Sequence, residues 1–422
     1  MANNFSKEER VAFEEILEGF NDALVLSKNV SQYNKEKAMM TRAGDTIWRP
    51  QPYIAISYDD IDLTGKFAGM TQLSVPATIG YRSGVPWVMD AEELNDALQE
   101  QRLGSAAKQK IASDINVAIM NVAANEGTLF VKRTTAASGY ADLAACDALM
   151  NEQGVNMFDR YAALSSRDYN GMAADLAGRE TMNTKPISAY EKSYVGTVAG
   201  FDTFKMDYAN SKTAAAGGAA LTISTLDAAG NYYTPVATRV ASTGERSNVD
   251  NRYQQVTISA TTNVVAGDAF TIAGVYAAHH ITKNSTGQLK TFRIISVDSG
   301  TTMTISPPII SNQGGTVAEE QYQNVVVSTK SATAAIVFLN TVTASVNPFW
   351  HKDAIEILPG FYTVPPNSGA AVMRGSTDQG IELVMTKFFD IDTMITKFRL
   401  DARWGVCCKQ PQMAGVMMFS QT

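Results

Sequence analysis

The chain has 422 residues, 45% hydrophobic and 18% charged, with a formal net charge of −7. That length exceeds one simple core and predicts two or three domains, and the hydrophobic content excludes disorder as the leading reading. No dense run of Lys or Arg is present, which excludes a protein gripping nucleic acid or an anionic membrane over its whole surface, since counterion release needs clustered cations. The charged share is below the usual quarter, which fits surface buried against other copies.

Ser6-Lys7-Glu8-Glu9 reads as a capping box, followed by Phe13, Ile16, Leu17, Phe20 and Leu24 at helical spacing. Glu8, Glu15, Glu18 and Asp22 fall mostly off that stripe. The predicted element is a surface helix docked by its apolar face, or a partner-binding arm with an acidic face. Residues 49–88 show no helical period and carry many Gly and Pro, which predicts a long two-stranded excursion with its tip near 63–70. In a monomer such a ribbon invites unwanted pairing; in an assembly that pairing is useful. Asp90 with Glu93 predicts a second capping box and a helix to about Gly127, on the order of 55 Å long, with a bend at Gly104.

Residues 142–178 read as mixed helix and turn, and 193–207 as strand, turn, strand. From 213 to 343 the composition changes: 32 of 131 residues are Ser or Thr, with only seven basic and seven acidic residues. Strand-like runs recur at 220–224, 255–259, 269–272, 291–297 and 302–305, separated by turn residues, which predicts a small closed barrel or sandwich inserted into a larger α+β host. Residues 380–389 and 395–406 then fit a β meander closing the main domain.

Groups for chemistry do not converge. The adjacent His279 and His280 suit one metal poorly, Cys146, Cys407 and Cys408 make no disulfide framework and read as small hydrophobes, and HExxH, CxxC, G-x-S-x-G and P-loop patterns are absent. His351 near Asp353 is the one candidate for a hydrolytic pair, with a polar corner beside Trp350 as its bland counterpart. Asp59-Asp60 and Glu319-Glu320 read as solvated loop acids. No enzyme activity, cofactor or metal is expected. The polar start MANNFSKEER lacks the core of a signal peptide and no apolar run approaches the ~18 residues of a bilayer span, so no membrane partner and a reducing cytoplasm are expected.

Six segments in register carry a resemblance: GDTIWRP (44–50), VAGFDTF (198–204), NVDNRYQQVTISATT (248–262), AGDAFTIAGV (266–275), NPFWHKDAIEIL (347–358) and RWGV (403–406). The chain resembles the major capsid (coat) proteins of short-tailed double-stranded-DNA bacteriophages of the Salmonella and Shigella group. The resemblance implies an α+β, Hong Kong 97-type capsid fold with an inserted telokin-like, immunoglobulin-like β-barrel. It places an N-terminal arm at 1–45, an extended β loop at 46–88, and the spine helix, peripheral domain and start of the axial domain at 89–215. The barrel then falls at 216–343 and the rest of the axial and peripheral domains at 344–422.

It further implies self-assembly into pentamers and hexamers of an icosahedral shell, with a scaffolding protein guiding a procapsid that later expands. Portal protein and packaged DNA are the other implied partners, the DNA bound without sequence specificity, and the implied location is the virion, assembled in the bacterial host cytoplasm. By the same resemblance, the extended loop lies over a neighbouring subunit, here 53–76 with Tyr53, Ile54, Ile56, Leu73 and Val75. The scaffolding contact falls on Glu14, Glu15 and Glu18. A loop bridging capsomers falls at 239–252, with Glu245, Arg246, Asp250 and Arg252 available and Arg102 and Lys108 as candidate opposite charges. Val240–Gly244 holds no charge, a departure from the family's more acidic loop. Gly65, Gly69, Gly80, Gly84 and Gly104 are candidate hinges. The alternative is a surface-layer or fibre subunit whose Ser/Thr-rich module binds carbohydrate.

Overall fold

The computed structural model of the chain describes residues 5, 7–33, 46–52, 54–58, 61–64, 67, 69–90, 97–178, 192–193, 195–208, 210–217, 221–226, 232–311, 313, 315–328, 331–365 and 369–422. It divides into two units: Met1–Ile47 with Ala77–Met120 and Ile355–Cys407, and Trp48–Pro76 with Asn121–Ala354 and Cys408–Thr422.

In the first unit, helix α1 (Lys7–Ala23) buries Phe13, Ile16 and Phe20, with Leu24 just past its end, as the 3.6-residue spacing predicts. Gly375 admits the stripe: a Cβ there would lie 2.7 Å from Leu17 Cδ2. The Glu9 carboxylate bonds to Lys387; the expected cap, Ser6, lies outside the described residues. The sheet of this unit runs Ser31–Gln32, Ile355–Pro359, Ile395–Cys408, Glu382–Asp390, Ala371–Ser376, with Tyr81–Asp90 also on Ile395–Cys408. The meander expected at 380–406 is its centre.

Helix α2 is described over Ala97–Glu126; residues 91–96, on which its expected start falls, lie outside the described residues. Asp90 ends strand Tyr81–Asp90, which pairs antiparallel with Ile395–Cys408 from Asp90↔Ile395 to Tyr81↔Trp404. Along that strand Ser83, Val85, Trp87 and Met89 alternate toward the interior, with Trp87 stacked on Phe398 at 5.6 Å. Glu93 lies outside the described residues. Gly104 and Gly84 are close approaches rather than hinges: α2 continues through Gly104, where a Cβ would meet Ile16 Cδ1 at 2.5 Å, and one at Gly84 would meet the Asp401 carboxylate. Gly65 lies outside the described residues.

In the second unit, a six-stranded sheet runs Leu129–Lys132, Ala414–Met418, Asn347–His351, Arg160–Ser165, Phe201–Met206, Thr197–Val198. Helices α3 (Tyr140–Gln153) and α4 (Ser166–Ala177) bury Leu143, Cys146 and Met150, and Tyr169, Met172 and Ala173, in one core with Leu164, Phe201 and Phe349. Gly154, left-handed at φ +81, closes α3 by donating to Asn151. Gly415 sits where Ala414–Met418 pairs in parallel with Leu129–Lys132, and a Cβ there would lie 2.5 Å from the Leu129 carbonyl oxygen. Backbone cannot yield as a side-chain tip can, so Gly415→Ala is expected to cost about 1–3 kcal/mol, read as a lowered urea midpoint.

Seven further strands form a closed barrel. Their order is Thr222–Leu226, Ser331–Phe338, Ala269–Ala278, Ser285–Val297, Thr302–Ser306, Gln254–Thr257, with Val325–Val327 also on Ala269–Ala278. The bridge Ile223↔Ile258 and the bond from Ser259 N to Thr222 O (2.9 Å) join the last strand to the first. Closure leaves no free edge between them. The interior is its own cluster, including Ile223, Phe270, Ile272, Phe292, Ile294 and Ile336. A short helix, α5 (Val317–Tyr322), follows the barrel's fifth strand. Here Glu319 is not solvated: it completes a capping box with Thr316, accepts a bond from Thr234 Oγ1 and is 1% exposed.

Candidate assembly surfaces

The excursion is two-stranded only at its base, where Thr46–Pro50 pairs with Ser74–Thr78; Gln51 N also donates to Leu73 O at 2.9 Å. Beyond that base no strand forms among the described residues. The return limb is tied to the α5 region of the same chain. Thr71 N donates to Gln321 Oε1 at 3.1 Å, and Tyr322 Oη donates to Thr71 O at 2.7 Å.

This corrects the expected contact residues. Leu73 is 3% and Val75 0% exposed, both buried within the chain, and Leu73 packs with Ile310 and Tyr322 while Ile54 lies half-buried against them. Ile56 is half-buried and Tyr53 lies outside the described residues. The outward apolar groups are instead Ile61 (103%), Phe67 (88%) and Met70 (58%) at the tip. Strand alternation could not find them, because no strand forms there among the described residues. For Phe67 and Met70 the signal was large apolar residues among glycines in the stretch already marked as the tip; Ile61 lies just before it.

The segment 239–252 is a hairpin on an anchored base. Thr238–Val240 pairs with Arg246–Asn248, and the turn closes through Ala241 N to Glu245 O (2.9 Å), with Gly244 at φ +84. Every residue from Thr238 to Asn248 is exposed, so Arg239, Glu245 and Arg246 face outward. Asp250 and Arg252 do not, which corrects their expected availability. Arg252 is 9% exposed; its Nη2 donates to Asp250 Oδ2 (2.8 Å) and its Nη1 to Glu126 Oε2 (3.2 Å) and the Cys408 carbonyl (2.8 Å). Its guanidinium also lies over the Tyr253 ring at 4.9 Å. Burial alone would lower its pKa, but the bonds to Asp250 outweigh that and hold the cation charged; burial raises the Glu126 carboxyl, opposed by Arg252. Asn251 locks the segment leading into the hairpin by accepting from Val236 N (3.0 Å) and donating to Val236 O (2.9 Å). Five hydrogen bonds from Arg252 and Asn251 thus hold the foot of a wholly exposed hairpin.

On α1, Glu14, Glu15 and Glu18 are all exposed on the side opposite the buried stripe. Lys108 is half-buried against α1, where a Cβ at Gly19 would collide with its ammonium, so it is partly used within the subunit. The side chain of Arg102 lies outside the described residues. His351 is 6% exposed and its Nδ1 accepts from Asp353 N (3.2 Å), whereas the Asp353 carboxylate, 68% exposed, stands 3.9 Å away. Burial lowers the His351 pKa. That is a turn contact, the polar corner beside Trp350, and it does not orient an imidazole for proton transfer. Among the described residues no three His, Cys, Asp or Glu gather to hold a metal, and no helix is long and apolar enough to cross a membrane.

Residues 1–420 match the family model described as "P22 coat protein - gene protein 5", and the chain belongs to that family. It is a structural coat protein, the major capsid subunit of a tailed bacteriophage with the Hong Kong 97-type fold, assembling with itself into the virion shell, and not an enzyme. Among solved structures, it is similar to one titled "Capsid structure of the Cyanophage P-SCSP1u" at 12% identity, covering 93% of this chain and 91% of that one, with TM-score 0.43. A Mycobacterium phage Che8 chain matches at 8% identity, 92% and 93% coverage and TM-score 0.41. The "CUS-3 coat protein I-domain" matches at 40% identity over 29% of this chain and 98% of that one, with TM-score 0.22.

Proposed function

We propose that this coat protein builds pentamers and hexamers of an icosahedral procapsid with an internal scaffolding protein, in the bacterial host cytoplasm. The shell then expands and encloses double-stranded DNA delivered through a portal. The observation that carries the division of labour is the contrast between buried and outward apolar groups on 46–88: Leu73 and Val75 fix the loop to its own subunit, leaving Ile61, Phe67 and Met70 to lie over a neighbour. The hairpin Thr238–Asn248 bridges capsomers through Arg239, Glu245 and Arg246, and Glu14, Glu15 and Glu18 take the scaffolding contact. Exposed ion pairs contribute only ~0–1 kcal/mol each; repeated over a shell they set register rather than strength. The acidic net charge suits a container for DNA better than a DNA clamp.

Residues 216–343 act as an inserted domain, supported by a closed strand order and a self-contained core. Expressed alone, this segment is expected to unfold in one cooperative β-type transition by circular dichroism; a fragment without structure contradicts the domain assignment. For the assembly itself, the test is negative-stain microscopy of the chain co-expressed with its phage's scaffolding protein. Uniform hollow shells are expected; monomers or open filaments would sink the reading.

A further inference from the structure

The barrel meets the rest of its unit along a seam with an unusual charge content. Lys290 on Ser285–Val297 is 1% exposed, and its ammonium donates to two neutral acceptors, Gln153 Oε1 at the end of α3 (3.0 Å) and Gln412 Oε1 (2.8 Å). His280 N donates to Gln153 O at 3.1 Å, and the His280 ring lines two adjoining cavities of ≈ 40 and ≈ 10 Å³ together with Gln410 and Gln412. Gln410 Oε1 is buried with no hydrogen-bond partner, so the seam is not fully satisfied even when closed.

The titratable groups around it, among the described residues, are almost all basic. His279, His280 and Lys283 come from the loop after Ala269–Ala278, with Lys283 bonded to the Gln321 and Gln323 carbonyls. Arg252 lines the larger cavity with Tyr322, and Arg293 caps α2 by donating to Ala124 O at 2.6 Å. The acids are engaged elsewhere or outside: Glu126 by Arg252, and Glu152, next to Gln153, exposed. A buried cation with only neutral acceptors is costly, and a second one beside it more so.

We propose that this seam is a proton-operated latch, which holds the barrel to the segments bearing Gln153 and Gln412 when Lys290 and His280 are neutral and loosens when acid charges them. Burial brings Lys290 down to about 7 and His280 down to about 4. For a base whose closed-state pKa is depressed, the open state binds more protons, so closure strengthens as pH rises and weakens as it falls. With Lys290 at about 7 closed and about 10.5 open, going from pH 8 to 5.5 multiplies opening about tenfold from this group alone. His280 adds in the same direction.

The test is amide hydrogen exchange of the full chain at pH 8 and 5.5, corrected for intrinsic rates, comparing peptides 279–290 and 150–155 with the barrel-core peptide 269–276. The seam peptides are expected to lose protection by at least tenfold more than the core. Lys290→Met is expected to delete about tenfold of that response and to tighten the seam at pH 8. Gln412→Glu, which gives the ammonium a carboxylate, is expected to flatten the response over the same range and serves if the first variant does not fold. Seam protection that tracks the core at both pH values, or an undiminished acid response in these variants, overturns the latch.

Discussion

Replacing Arg252 with Ala is expected to lower the stability of the unassembled chain by about 3 kcal/mol, read from the urea midpoint. Removing one member of a buried ionic cluster costs about 3–5 kcal/mol because the remaining charges stay desolvated without a partner. Asp250 and Glu126 keep 21% and 30% of their side-chain surface, which places the loss at the low end. Arg252→Lys retains the charge but not the fork that reaches Asp250, Glu126 and the Cys408 carbonyl together, so it recovers only part of the stability. A loss under ~1 kcal/mol for the Ala variant would mean that the hairpin foot is held by Asn251 alone.

The double substitution Ile61→Asp, Phe67→Asp is expected to leave the monomer unchanged within ~0.5 kcal/mol, since both side chains are exposed. It is expected to lower the yield of sedimenting shells, co-expressed with scaffolding protein, by at least tenfold. Burying an aliphatic or aromatic side chain stabilises by about 1.5–3 kcal/mol, and a loss of 1.4 kcal/mol already weakens a contact tenfold. A charge placed in that contact adds a desolvation cost. Unchanged shell yield would show that the tip touches no neighbour. Leu73→Asp provides the contrast: that side chain is interior to the subunit, so its loss is expected in the monomer.

Much of the architecture was legible in the chain because its signals are local. The α1 stripe depends on spacing within 17 residues, and the barrel strands on alternation between turn residues a few positions apart, so both could be read directly. The strand that ends at Asp90 was less legible, because its ten residue pairs are with Ile395–Cys408, some three hundred positions away. Glu319 and Glu320 look alike as neighbouring acids, yet only Glu319 completes the cap with Thr316 and meets Thr234, 85 residues away.

From its residues alone, the protein's family, its self-contained barrel, its reaching loop and its acidic first helix were already settled or expected. Folding in three dimensions assigned the sides: Leu73 and Val75 inward, Ile61 and Phe67 outward, and Arg252 and Lys290 into the interior rather than to solvent. Periodicity reports which side chains share a face, whereas burial depends on what arrives from elsewhere. Two of the partners of Arg252, Glu126 and the Cys408 carbonyl, arrive from 126 and 156 positions away, a separation over which no local pattern carries information.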